Sequence, residues 1–196
     1  MIWWLRTRNA AAILAAVVGV PLMSALVGGQ VVPTVDALRA LPMPLAILVP
    51  FVATVTVTSG LQRAVEDVEG MATRRVHLWD VGLIAVALGI GLTLCLALAW
   101  WTSSSLLVTT GRNMVALTAL ALLLARRVGH TPATTTVAAY VIICTLFGRQ
   151  LDGSIALWAW PMRTDLAPLL TISLLTVSAL ALAPWRGWSR VATVEP

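Results

Sequence analysis

Val81-Gly-Leu-Ile-Ala-Val-Ala-Leu-Gly-Ile-Gly-Leu-Thr-Leu-Cys-Leu-Ala-Leu-Ala99 runs nineteen residues without a charge. As an α-helix rising about 1.5 Å per residue it is about 28 Å long, close to the ~30 Å hydrocarbon core of a bilayer. Trp79 precedes it and Trp100-Trp101 follow it. Indole rings favour the headgroup level, where the ring lies in apolar surroundings and the N–H stays wet. A soluble core needs no apolar run of this length, so the stretch reads as a membrane-spanning helix over 78–101.

Working outward, five further apolar segments qualify as spans, at 10–27, 44–60, 106–125, 132–148 and 167–183. The composition agrees: 59% of the 196 residues are hydrophobic and 11% are charged, against about 45–50% and about 25% in ordinary soluble domains. The first run has the length and basic lead of a signal peptide. It has no A-x-A-like cleavage site, and Trp3-Trp4 does not suit a signal n-region, so a retained helix is expected. The expected fold is all-α: one polytopic domain over 1–196 with six transmembrane helices.

The thirteen basic residues are all arginine. Without lysine, neither a Walker-type P-loop nor a lysine Schiff base can be built. With the N-terminus inside, the inner segments carry Arg6, Arg8, Arg63, Arg74, Arg75, Arg126, Arg127, Arg186 and Arg190, and the outer ones Arg39, Arg149 and Arg163. That bias places both termini in the cytoplasm, and it accounts for the net charge of +5 by topology, with no nucleic-acid partner. All nine tryptophans fall at or just outside a predicted helix end, as anchors do.

Cys95 and Cys144 lie inside apolar runs and read as small core residues. His77 and His130 both fall at inner helix ends, read as solvated, and form no H-E-x-x-H. No G-x-S-x-G and no central carboxylate pair occurs. No catalytic, metal or cofactor site is expected.

Three segments stand apart. Between the second and third spans, Leu61, Ala64, Val65, Val68, Met71 and Ala72 recur at helical spacing. Arg63, Glu66, Asp67 and Glu69 fall largely on the other face, so a short amphipathic helix under the membrane is expected. Its acids are either a solvated face or a docking surface for a basic partner. Next, Arg112-Asn113 precedes an apolar stretch from Met114 to Ala125 that is too short to span. The helix must therefore start near Leu106, which puts Arg112 about 9 Å along it. A guanidinium at that depth snorkels, pairs or lines a wet cavity; Asp152 is the first candidate partner and Asp165 the second. Last, Ile155 to Trp160 is too apolar for a free loop and too short to span. A re-entrant or interfacial piece is expected, with protein or water covering its backbone.

These features together resemble the six-helix permease subunits of bacterial ABC exporters, of the type-2 permease class. The small versions in high-GC actinobacteria look closest. The resemblance rests on the Trp/Arg-rich start Ile2 to Asn9, the acidic segment Arg63 to Glu69 followed by Arg74-Arg75, Arg112-Asn113 leading into a Leu/Ala-rich helix ending in Arg126-Arg127, and Trp158-Ala-Trp-Pro161 before the last span. It implies an interfacial N-terminal helix and a coupling helix whose Arg63, Glu66, Asp67 and Glu69 meet a separate ABC ATPase subunit. It also implies a pathway between two permease subunits, identical or homologous, in the bacterial plasma membrane. The competing expectation is a non-transporting membrane protein: an assembly factor, an anchor or an immunity protein.

Overall fold

The computed structural model describes residues 2–27, 31–32, 43–44, 47–62, 76–149 and 154–163. The described chain is mainly helical; two-residue strands at Val31–Val32 and Met43–Pro44 pair antiparallel, and 154–159 is irregular. We label the helices α1 (Ile2–Thr7), α2 (Ala10–Val27), α3 (Pro50–Gln62), α4 (Val76–Thr102), α5 (Ser105–Val128) and α6 (His130–Phe147). A 3-10 turn follows at Trp160–Met162.

Among the described residues, four helices are long and apolar enough to cross a membrane: α2, α4 from Leu78, α5 and α6. The protein is thus a membrane-embedded helical bundle. The sequence boundaries 10–27, 78–101, 106–125 and 132–148 match these helices to within three residues. The expected second span at 44–60 does not hold as drawn. Pro44 lies in the strand pair, and α3 begins only at Pro50. Proline suits the first turn of a helix but disfavours helical backbone in the residue before it, so Val49 ends a turn and Pro50 starts the helix. At 13 residues, α3 is about 20 Å long. The sixth expected span, 167–183, lies outside the described residues.

Helix α5 is the axis of the bundle. It packs on α2, α3, α4 and α6. The most apolar 18-residue stretch of α5 is two-thirds buried (67%), against 22–33% for the corresponding stretches of the other three membrane-length helices. The outer helices turn large apolar side chains outward instead, among them Leu26, Val86, Trp100 and Phe147, as lipid-facing surfaces do. Against lipid the hydrophobic effect does not hold helices together, and close packing and interhelical hydrogen bonds take its place. Both occur here. A Cβ on Gly91 of α4 would meet Met114 Cε at 2.5 Å and Val17 Cγ1 at 2.6 Å, so α2, α4 and α5 approach closely there. Thr54 of α3 and Thr118 of α5, both buried, bond each other at 3.1 Å. Thr110 of α5 bonds Ser24 of α2 at 3.2 Å.

The helices alternate in direction. The start of α2, the end of α3, the start of α4 and the α5–α6 corner gather at one end. The end of α2, the start of α3, the start of α5 and the end of α6 gather at the other. Each end contains a buried arginine, Arg8 at the first and Arg112 at the second.

Candidate functional site

At the first end, α1 and α2 meet at a sharp corner. Asn9 has φ 51°, the left-handed region that asparagine tolerates better than most residues. Its carbonyl accepts from the N–H groups of Ala12 and Ile13, starting α2. The corner turns Arg8 inward until its side chain is completely buried, at 0% exposure. There it meets Asp80 on α4, seventy-two residues away: Nε donates to Oδ1 at 2.8 Å and Nη2 to Oδ2 at 2.8 Å. This is the two-pronged arrangement that a planar guanidinium makes with a carboxylate. Trp4 Nε1 donates to the same Oδ1 at 3.1 Å, and its ring meets Trp79 edge-on, with centroids 6.2 Å apart. One carboxylate thus ties α1, the α1–α2 corner and α4 together.

The neighbours of this joint are close. A Cβ on Gly60 of α3 would lie 2.7 Å from the Arg8 carbonyl oxygen, so only glycine lets α3 pass the corner. Gln62 Nε2 bonds Thr131 Oγ1 at 2.8 Å, joining α3 to α6. His130, expected in solvent, is buried at 8% exposure. The reason is the abrupt α5–α6 connection. Gly129, at φ 87°, is the single residue between the helices, so the chain folds the first residue of α6 back onto the bundle.

At the second end, Arg112 and Asn113 lie seven and eight residues into α5, about 10–12 Å from its start. Arg112 does not snorkel. It is 5% exposed and turns inward. Its Nη2 donates to the carbonyl oxygens of Trp160, at 3.1 Å, and Arg163, and more weakly to Asn113 Oδ1 at 3.3 Å. Asn113 Nδ2 donates to the Pro161 carbonyl at 2.7 Å. The two side chains therefore hold the backbone of the turn 160–163 from below. Asp152 and Asp165, the expected acidic partners, lie outside the described residues.

The segment 154–163 packs onto the bundle. Ile155 bridges to Arg149, and the Ala156 N–H reaches the Gly148 carbonyl at 2.9 Å. Ala156, Ala159 and Met162 bury against Ile47 and Cys144. A Cβ on Gly148 would come within 2.7 Å of Ala159 Cβ, which is how closely this piece lies on the end of α6. Tyr140 adds a hydrogen bond to the Trp158 carbonyl, and its ring sits 6.3 Å from that of Trp160. Irregular backbone at membrane depth needs such cover, because its carbonyls have no water to accept from.

The segment carrying Arg63, Glu66, Asp67 and Glu69 lies outside the described residues. What the structure places at that point is its two ends: α3 stops at Gln62 and α4 starts at Val76, both at the Arg8 end. Arg8 and Asp80 escaped the sequence reading, since a charge near the end of a span is ordinary and nothing local links the pair. The one available signal was that Asp80 sits inside the third span, a costly place for an acid unless it is paired. No family model, curated protein or solved structure matches this chain.

Proposed function

We propose that the chain is the permease subunit of an ABC-type exporter, with six spans and both termini in the cytoplasm of a bacterial plasma membrane. In this reading two such units, identical or homologous, flank the pathway, and a separate ATPase subunit supplies the energy. The observation that supports it is the joint at the Arg8 end. The chain leaves α3 at Gln62, two residues from the close approach of Gly60 to Arg8, and returns into α4, where Asp80 is held by Arg8 and Trp4. A push received at Glu66, Asp67 and Glu69 would thus enter the bundle through a braced lever.

Purification in mild detergent tests the reading. An ATPase subunit should accompany the chain, and a mass measurement should find two permease units. Reversing Glu66, Asp67 and Glu69 to arginine should abolish stimulated ATP hydrolysis while the chain stays folded and inserted. A chain that always purifies alone, or coupling that survives the triple reversal, overturns the proposal. The first outcome favours a non-transporting assembly, anchor or immunity protein. A cysteine at position 67 should be labelled from the cytoplasmic side only, and labelling from outside intact cells would invert the topology.

A further inference from the structure

We infer that the Arg8 end of the bundle is a binding surface for anionic phospholipid headgroups, taking phosphatidylglycerol-type lipids in preference to zwitterionic ones. The inference uses the membrane crossing of the helices and no part of the transport reading.

Three observations carry it. The first is charge. Among the described residues Asp80 is the only carboxylate, and Arg8 neutralises it inside the bundle. Arg6 on α1 and Arg126 and Arg127 at the end of α5 are all exposed at this end. The connecting segment 63–75 does not cancel them, because its Arg63, Arg74 and Arg75 balance its Glu66, Asp67 and Glu69. The second is what lies beside those arginines. Leu5 (40%) adjoins Arg6, Val128 (54%) adjoins Arg127, and Leu78 (48%) and Trp79 (47%) are exposed at the start of α4 at the same end. Adjoining guanidinium and large apolar groups suit the headgroup layer, where phosphates meet the charges and acyl chains cover the rest. The surface of an aqueous protein partner would leave those apolar groups to be matched one by one. The third is rigidity. The Trp4–Asp80 and Arg8–Asp80 bonds fix α1 to α4, so Arg6 is presented from a braced helix and is not carried on a loose tail.

Each arginine near the surface multiplies the affinity for an anionic headgroup by roughly fivefold at moderate salt. The test is intrinsic tryptophan fluorescence of the purified full chain in vesicles of equimolar phosphatidylcholine and phosphatidylglycerol, with bromine placed on one lipid and then on the other. Brominated phosphatidylglycerol should quench more strongly, with a preference of about fivefold or more that declines as salt rises. The triple variant R6Q/R126Q/R127Q should lose the preference. The triple lysine variant, R6K/R126K/R127K, should keep it, which separates loss of charge from failure to fold. Equal quenching by both brominated lipids in the unaltered chain overturns the inference. So does a preference that the glutamine variant retains. If the unaltered chain shows no preference in vesicles and an acidic protein partner instead protects these arginines from modification, the surface belongs to that partner and the lipid assignment is wrong.

Discussion

The bundle buries one arginine at each end, and among the described residues the two are held by different kinds of partner. Arg8 meets a carboxylate from a distant helix, charge against charge, with a tryptophan N–H completing the acceptor. Arg112 meets backbone carbonyls of the turn 160–163 and lends them donors. In the first case the arginine and the aspartate each need the other. In the second the arginine supports the backbone of another segment, packed about 10 Å along α5. A buried charge can therefore mark either a joint between elements or a support for broken secondary structure. Its depth alone does not say which.

The sharpest break in that comparison is Asp80→Ala. It leaves the Arg8 guanidinium buried without its carboxylate, and losing one member of a buried pair costs about 3–5 kcal/mol. Thermal unfolding in detergent should show the largest fall of any single substitution here. The double variant Arg8→Met with Asp80→Leu should recover most of it, because replacing both members by apolar groups of similar size removes the orphaned charge. No recovery would mean that the pair holds the corner geometry in a way that packing cannot replace.

At the other end, Arg112→Leu removes the donors to the Trp160 and Arg163 carbonyls, at about 1.5–3 kcal/mol for a charge-assisted bond. The effect should be local. A cysteine at Ala159, wholly buried now, should become accessible to a membrane-impermeant maleimide while α4 and α2 keep their protection. Arg112→Lys should lie between, since one ammonium cannot reproduce the spread of a planar guanidinium over separate acceptors. If Asp80→Ala exposes Ala159 as readily as Arg112→Leu does, the two ends are one cooperative unit and the contrast fails.

The sequence made one of these ends visible and hid the other for a physical reason. Arg112 announced itself because the apolar run after it is too short to span, which forces the charge into the membrane. Its partners did not, since a backbone carbonyl is present at every residue and leaves no mark in the sequence. The apolar character of Ile155 to Trp160 marked a segment that is not a free loop, but its contact with Arg112 across some fifty residues was not legible. At the Arg8 end every residue looked ordinary by itself. Arg8 passed as one of the topology arginines and Trp4 as one of the anchoring tryptophans. The spans over α2, α4, α5 and α6 followed from hydropathy because lipid imposes a length on them. The start of α3 did not, because hydropathy does not register what Pro50 does to the residue before it.

Glycines give a graded test of how tightly each region is built. Of Gly60, Gly91 and Gly89, Gly60→Ala should be the most damaging, since its new Cβ would lie 2.7 Å from a backbone oxygen of Arg8 that cannot swing away. Overpacking of this kind costs about 1–3 kcal/mol. Gly91→Ala should cost less, because its close neighbours, Met114 Cε at 2.5 Å and Val17 Cγ1 at 2.6 Å, are side-chain atoms and the first is the tip of a flexible chain. Gly89→Ala, with nothing within 4 Å, should be neutral or stabilising by up to about 1 kcal/mol through helix propensity. Unfolding midpoints out of that order would show that the Arg8 corner has room to move.

The smallest expected effects lie between the two ends, where threonines join the helices. Thr58 on α3 and Thr134 on α6 bond each other at 2.9 Å, yet each hydroxyl also reaches a carbonyl four residues back in its own helix. Such a hydroxyl has a fallback acceptor, so Thr134→Val should change stability very little. Thr54 and Thr118 differ: among the described residues their mutual bond is the one hydrogen bond either hydroxyl makes, and both side chains are fully buried. Interhelical bonds of this kind in membranes average about 0.6 kcal/mol and reach about 1.7 kcal/mol. Thr118→Val should fall in the upper part of that range, because it strands the Thr54 hydroxyl without an acceptor. The double variant Thr54→Val with Thr118→Val should be no worse than the single one, since both polar groups leave together and valine has nearly the same shape. A double-mutant cycle in detergent measures this directly. A coupling energy near zero would mean that the middle of the bundle is held by packing alone, and that specific polar bonds matter only at the two arginine ends.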